Sequence, residues 1–164
     1  MTSRRLERLS PHHHLGDFHS GNESLDRWLQ THALASQQMD VARTFVLVDA
    51  ERVAGYFSLT MGSVQRAEAP QSLVGGLPGY PVGMVLLARL AVDSSAQGQG
   101  LGALLLAEAL RKAVTAGEAA AARLVVVDAI DEAAARFYAR HGFVAVPDHL
   151  LRLYRRMKDV RASQ

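Results

Sequence analysis

The chain contains no cysteine, which excludes disulfides, thiolate metal ligands and any acyl intermediate on a protein thiol. That absence fits a cytoplasmic protein. No long hydrophobic run is present. The longest apolar stretch, Val82 to Val92, is interrupted by Arg89 and falls short of the ~18 residues of a membrane span, so no membrane association is expected. The first fourteen residues, MTSRRLERLSPHHH, are basic and lack an apolar h-region, so no signal peptide is expected. There is no internal repeat, and the only low-complexity block is the alanine run Ala119 to Ala122.

The remaining composition is that of an ordinary globule, with 49% hydrophobic and 21% charged residues in 164. This length suits one domain over residues 1–164. The formal charge is only +2, but its distribution is uneven. The segment from Leu150 to Gln164 carries Arg152, Arg155, Arg156, Lys158 and Arg161 against Asp159, and Arg4, Arg5 and Arg8 lie near the other end. Such clusters suit phosphates, or simply keep the surface soluble.

Residue patterning predicts a short strand at Arg4–Leu9. A helix follows, opened by Gly21-Asn22-Glu23-Ser24, with an apolar stripe of Leu25, Trp28, Leu29, His32, Ala33 and Ser36. Arg43–Asp49 and Arg52–Val64 read as a hairpin joined by Ala50-Glu51. A glycine- and proline-rich loop runs from about Arg66 to Gly83. Val85–Val92 reads as a central strand, and a helix runs to about Ala116 with Leu101, Leu104, Leu105, Ala109, Leu110 and Val114 on its apolar face. Beyond it come a strand at Arg123–Asp128, a helix at Glu132–His141 closed by Gly142, and strands at Phe143–Val146 and Leu150–Met157. This order predicts an α/β fold with a mixed sheet and helices on both faces.

Between the central strand and its helix lies Gln97-Gly98-Gln99-Gly100-Leu101-Gly102. Glycines at alternate positions keep Cβ atoms away from a bound phosphate, and the first helical turn supplies orphan N–H donors and a partial positive charge. Two other phosphate motifs fit less well. A P-loop needs Gly-Lys-Ser/Thr, whereas Gly102 precedes Ala103. A dinucleotide fingerprint needs G-x-G-x-x-G directly after its strand, whereas here the spacing is G-x-G-x-G behind the polar stretch Asp93–Gln97.

The string LARLAVDSSAQGQGLGALLLAEALRKA resembles motif A of the GNAT acetyltransferases, with Gln97 to Gly102 as its Q/R-x-x-G-x-G/A element. AARFYARHGF resembles the family's next motif, and the likeness covers most of residues 3–157. The resemblance implies the GNAT fold, with a mostly antiparallel, splayed sheet. It implies acetyl-CoA as co-substrate, held by backbone groups of Leu90, Ala91 and Val92 at the pantetheine. Its pyrophosphate would be wrapped by Gln97, Gly98, Gln99, Gly100, Leu101 and Gly102.

Acetyl transfer to an amine needs a neutral nucleophile, stabilisation of the oxyanion and a proton for the departing thiolate. No Ser-His-Asp or Cys-His arrangement is evident, so direct attack on the bound thioester is the simpler scheme. On the residues alone, Tyr138 reads first as a ring packed beside Phe137 and Phe143; the resemblance makes it the general acid. An α-amino group has a pKa of ~7.7–8.0 and is partly neutral near pH 7.5, so a strong base is optional. No glutamate or histidine stands out as one. His12, His13, His14 and His19 occupy one stretch without supporting acids or cysteines, and no metal is expected.

DFHSGNESLDRWLQTHALASQQ, followed by ARTFVLVD, narrows the resemblance to the GNAT toxins of bacterial toxin–antitoxin modules. The matching positions are Phe18, Gly21, Leu25 to Leu29, Ala42 to Val46, and Arg89 to Asp93. Ser20 stands where cysteine is common in that group. The resemblance implies acetylation of the α-amino group of aminoacyl-tRNA, which blocks translation. It also implies a ribbon-helix-helix antitoxin as partner and a homodimer. Arg89, Arg136 and Arg140 are candidate RNA contacts, with pairing to local acids as the competing reading. Trp28 reads as an anchor for its helix. The alternatives are acetylation of a small amine or a peptide N-terminus, or a non-catalytic acyl-CoA-binding module.

Overall fold

The computed structural model describes residues 4–164; the first residues read for a leader, and Ser3 at the start of the resemblance, lie outside them. The chain divides into two compact units, Met1–Thr60 with Ala88–Ala109, and Met61–Leu87 with Leu110–Gln164.

The first unit contains β1 (Arg4–Arg8), α1 (Glu23–Thr31), α2 (Ala33–Gln38), β2 (Arg43–Asp49) and most of β3 (Arg52–Val64). It also takes in the end of β4 (Val82–Val92) and the start of α4 (Leu101–Ala120). β1 pairs antiparallel with β2 from Arg4↔Asp49 to Arg8↔Phe45, and β2 pairs antiparallel with β3. Both turn residues of that hairpin, Ala50 and Glu51, have positive φ, as a two-residue turn matched to strand twist requires. Asn22 caps α1 by accepting the Leu25 N–H, and α1 sinks Leu25 and Leu29 into a core with Phe18, Val46, Val53 and Tyr56.

The single helical stripe expected as far as Ser36 is interrupted. His32, exposed and at φ −124°, ends α1 and precedes α2. α2 is fixed by Gln37, whose buried amide donates to Leu9 O at 2.6 Å and accepts the Thr44 N–H at 3.0 Å. The first of those bonds spans 28 residues of chain, and apolar spacing registers neither.

The second unit holds the end of β3, the first part of β4, and α3 (Gln71–Val74). It continues with the rest of α4, β5 (Leu124–Asp128), α5 (Glu132–Arg140), β6 (Val144–Val146), β7 (His149–Arg156) and α6 (Met157–Ala162). β4 runs parallel to β5 from Met84↔Leu124 to Leu87↔Val127. β5–β7 and β6–β7 are antiparallel, so the pairing is mixed and mostly antiparallel, as expected. The apolar run of β5 is buried from Leu124 through Val127.

Three details differ from the sequence reading. The buried face of α4 is Leu101, Leu105, Leu106, Ala109, Leu110 and Ala113, while Leu104 is exposed. Ala113 is fully buried where Val114 is only partly so, and further along the helix packs closely enough that a Cβ on Gly117 would lie 2.7 Å from Met157 Cε. The loop from Arg66 to Gly83 includes a 3-10 turn and α3, and Arg66 donates to Leu77 O at 2.6 Å. Finally, Met157 begins a helix instead of ending a strand. Met157 and Val160 are buried there, and Arg156 closes on Asp159 three residues along.

Candidate active site

In the first unit, β4 ends at Val92 and a 3-10 turn at Ser94–Ala96 leads to the glycines. Gly98 and Gly100 have φ of +80° and +79°, a conformation that costs other residues roughly 1–2 kcal/mol. Apart from the adjoining residues of the chain, no protein atom lies within 4 Å of where a Cβ would sit on either. Gly100 O accepts the Leu104 N–H, the first hydrogen bond of α4. Among the described residues, the backbone N–H groups from Gly98 to Ala103 meet no protein acceptor. A row of N–H donors without protein partners at a helix start is the electrostatic complement of a phosphate pair.

Long-range hydrogen bonds hold this cradle. Asp93, buried, accepts the His19 N–H at 2.8 Å and the Ser95 hydroxyl and N–H at 2.5 and 3.1 Å. Burial pushes the Asp93 carboxyl up, but these donors, with Arg52 nearby, outweigh it and hold the carboxyl below the usual carboxylate value. The Gln97 side chain donates to Ser20 O at 2.7 Å and Val92 O at 3.0 Å. Of the expected coenzyme residues, Gln97 thus spends its amide N–H groups on the protein, and the Val92 carbonyl is already engaged. Ser20 is itself fixed, its hydroxyl 2.6 Å from buried Asp26. Asp26 and Asp93 both lie in strings that carry the family resemblance, but the sequence assigns neither of them a role. An aspartate closing a strand just before a polar turn, as Asp93 does, was the available signal.

Arg89 and Trp28 meet in the same unit. The guanidinium carbon lies 4.0 Å from the indole centroid. The indole in turn stacks on Tyr56 at 6.3 Å and packs on the core, so Trp28 is the anchor it was expected to be. Tyr56 donates its hydroxyl to Leu25 O at 2.7 Å. Burial raises its phenol above the usual range and draws the Arg89 guanidinium below its own.

The second unit carries Tyr138. α5 starts on Asp131, which caps the Ala134 N–H, and ends at His141 and Gly142, the latter at φ +92°. Tyr138 is buried, its ring edge-on to Phe137 at 5.2 Å and to Phe143 at 5.9 Å. The ring is core, as the reading from the residues alone has it. Its hydroxyl has no partner among the described residues, yet is not a sealed, unsatisfied atom, so the oxygen reaches open space. Burial raises the phenol above its ordinary value and keeps the proton on it.

Arg136 and Arg140 lie on one exposed face of α5, four residues apart, with no ion pair among the described residues. The basic C-terminal segment is partly compensated. Arg152 makes a two-pronged pair with Asp128 at 2.8 and 2.9 Å, and Arg156 pairs with Asp159.

The histidine stretch does have an acid beside it, contrary to the sequence reading: Glu7, His12 and His13 cluster. The Ser10 N–H donates to His13 Nδ1 at 3.0 Å, which leaves Nε2 as the donor to Glu7 Oε1 at 2.7 Å. Both ring nitrogens are committed, so this histidine has no lone pair to offer a cation while those bonds stand.

A family model for the acetyltransferase (GNAT) domain matches residues 40–145. The chain belongs to the GNAT acetyltransferase family, and it is an N-acetyltransferase. Within that family it is 39% identical over 155 residues to a tRNA-acetylating toxin of Mycobacterium tuberculosis (strain ATCC 25618 / H37Rv), covering 94% of this chain and 93% of the relative. It resembles AtaT complexed with acetyl-methionyl-tRNAfMet, with a TM-score of 0.90 and 29% identity, over 98% of this chain and 99% of that one. A tyrosine-to-phenylalanine mutant of the AtaT toxin, bound to the C-terminus of the antitoxin AtaR and acetyl-CoA, matches with a TM-score of 0.85 and 28% identity. That match covers 98% of this chain and 97% of the other.

Proposed function

We propose that this acetyltransferase is a toxin that acetylates the α-amino group of aminoacyl-tRNA and thereby blocks translation. The open cradle carries the coenzyme half of the reading. Free N–H groups from Gly98 to Ala103, with room at Gly98 and Gly100, fit the pyrophosphate of acetyl-CoA. β4 continues through Ala88–Val92 past its last β5 partner at Leu87, leaving Leu90, Ala91 and Val92 to face the pantetheine as an edge strand faces an added one. Bound acetyl-CoA supplies an activated thioester and a thiol leaving group.

The remaining chemistry belongs to the chain. Tyr138 presents a protonated, unpartnered hydroxyl and serves as general acid to the leaving sulfur. No strong base is required, because an α-amine of pKa ~7.7–8.0 is already partly neutral. The target follows from the likeness to a tRNA-acetylating toxin and is supported by the uncompensated cations Arg89, Arg136 and Arg140. On this reading both units serve one catalytic domain spanning 1–164. The protein acts in the cytoplasm as a homodimer and is restrained by a ribbon-helix-helix antitoxin. No helix among the described residues is long and apolar enough to cross a membrane.

The test incubates the protein with labelled acetyl-CoA and either charged or deacylated tRNA. Label on the aminoacyl moiety, dependent on charging, supports the reading. Acetyl-CoA binding without labelled RNA overturns the target, retains the coenzyme site and redirects the search to small amines and peptide N-termini.

A further inference from the structure

The groove beside α1 holds a cation without a counter-ion. Arg89 is half-buried, and its guanidinium meets no acceptor among the described residues. The groove is lined by Glu23, Ser24, Arg27, Trp28, His32 and Arg89. Its one carboxylate, Glu23, pairs with Arg27 a helical turn away, so those two charges cancel. The remaining charge is that of Arg89, held over an indole that is itself stacked on Tyr56. A guanidinium partly withdrawn from water and given no protein acceptor gains by handing its donors to a ligand. The indole fixes its position before any ligand arrives, so little freedom is lost on binding.

A guanidinium fork matches a phosphate, and an exposed imidazole and indole edge suit the flat base beside it. We propose, resting on the aminoacyl-tRNA reading, that Arg89 on Trp28 seats a backbone phosphate near the 3′ end of the RNA. Through that contact the enzyme prefers an RNA-borne amine to a free one. The contact positions the acceptor end without reading its sequence. Ser24 and His32 flank the same groove and are secondary donors to the same nucleotide.

The experiment compares kcat/KM for charged tRNA with that for an aminoacyl-adenosine, which carries the same amine on a terminal nucleoside without phosphate. For Arg89→Ala the expected loss on charged tRNA is about 10- to 100-fold, mostly in KM, and about tenfold or more larger than any loss on the aminoacyl-adenosine. The salt dependence of tRNA use should flatten by about 0.7 to 1 in log–log slope, as removal of one phosphate contact requires. Arg89→Lys should recover part of the loss and restore the salt slope. Trp28→Leu should weaken tRNA use in the same direction and by less. Equal losses on both substrates, or an unchanged salt slope, would make Arg89 merely structural and overturn the proposal. A wild type that labels charged tRNA while Arg89→Ala labels it equally well sinks this proposal alone; a wild type that labels no charged tRNA sinks the functional reading with it.

Discussion

Each of the two units buries a tyrosine whose phenol is pushed above its ordinary pKa, and the two differ in what the oxygen touches. In the first unit, Tyr56 donates a hydrogen bond from its hydroxyl to Leu25 O and locks α1 onto the core. In the second, Tyr138 packs its ring between Phe137 and Phe143 but leaves its hydroxyl unpartnered among the described residues. Burial shifts both groups in the same direction, so it cannot distinguish a structural tyrosine from a chemical one. The free oxygen does. The arginines divide the same way: Arg152 is spent on Asp128, while Arg89 keeps its donors.

The sharpest way to break this comparison is to remove each hydroxyl. Tyr138→Phe should lower kcat by about 10²- to 10⁴-fold, the range for loss of a general acid, with little change in stability. Tyr56→Phe should keep kcat within about twofold and lower unfolding free energy by about 1 kcal/mol, measured by urea denaturation. A Tyr56→Phe enzyme as inactive as Tyr138→Phe would show that the free oxygen is the wrong criterion.

The next effect falls on the cradle. Gly100→Val places a β-branched residue at φ +79° and fills the space left for the ligand, so acetyl-CoA binding by calorimetry should weaken by at least about 100-fold.

A smaller effect is expected at the bonds beneath it. Asp93→Asn removes a charged acceptor shared by His19 and Ser95 and should cost about 1–3 kcal/mol. Because the folded carboxyl is held below its ordinary value, its contribution is intact above about pH 4 and is lost as pH falls through the folded pKa. An acid-unfolding curve for Asp93→Asn should therefore be flatter than that of the wild type.

The pH–rate profile separates substrate from acid. Rate at low substrate should rise up to about pH 8 as the α-amine loses its proton. It should then stay level to at least about pH 10, because burial holds the Tyr138 phenol above its ordinary range. A falling limb near pH 9 would remove Tyr138 from the role. The weakest effect belongs to the spent arginine: Arg152→Ala should cost no more than about 1 kcal/mol, since the pair with Asp128 is partly exposed.

Much of this site could be read from residue order alone. Gln97 to Gly102 between an apolar strand and an apolar helix defines the cradle, because glycine placement and helix ends obey local rules. The hairpin and the C′ glycine at Gly142 are legible for the same reason, whereas the role proposed for Tyr138 comes from the family resemblance and from no local rule. The groups that hold the cradle were not. Asp93 meets His19, and Gln97 meets Ser20, across 74 and 77 residues of chain, and no periodicity reports such bonds. Arg89 could be named as a cation but not as an unpaired one, since pairing is settled only when the chain folds. The break at His32 and the final helix escaped notice because Gln37 and Met157 are placed by tertiary contacts that override local pattern.

The unclaimed N–H groups from Gly98 to Ala103 also have a thermodynamic consequence. Without ligand, these N–H groups have only water as a partner, and the first turn of the helix should exchange its amide hydrogens readily. Whatever fills the cradle stabilises the folded state by mass action, about 2.7 kcal/mol at a hundredfold excess over Kd. The melting temperature of this protein thus becomes a gauge of free coenzyme, and its resistance to proteolysis should rise and fall with the acetyl-CoA supply.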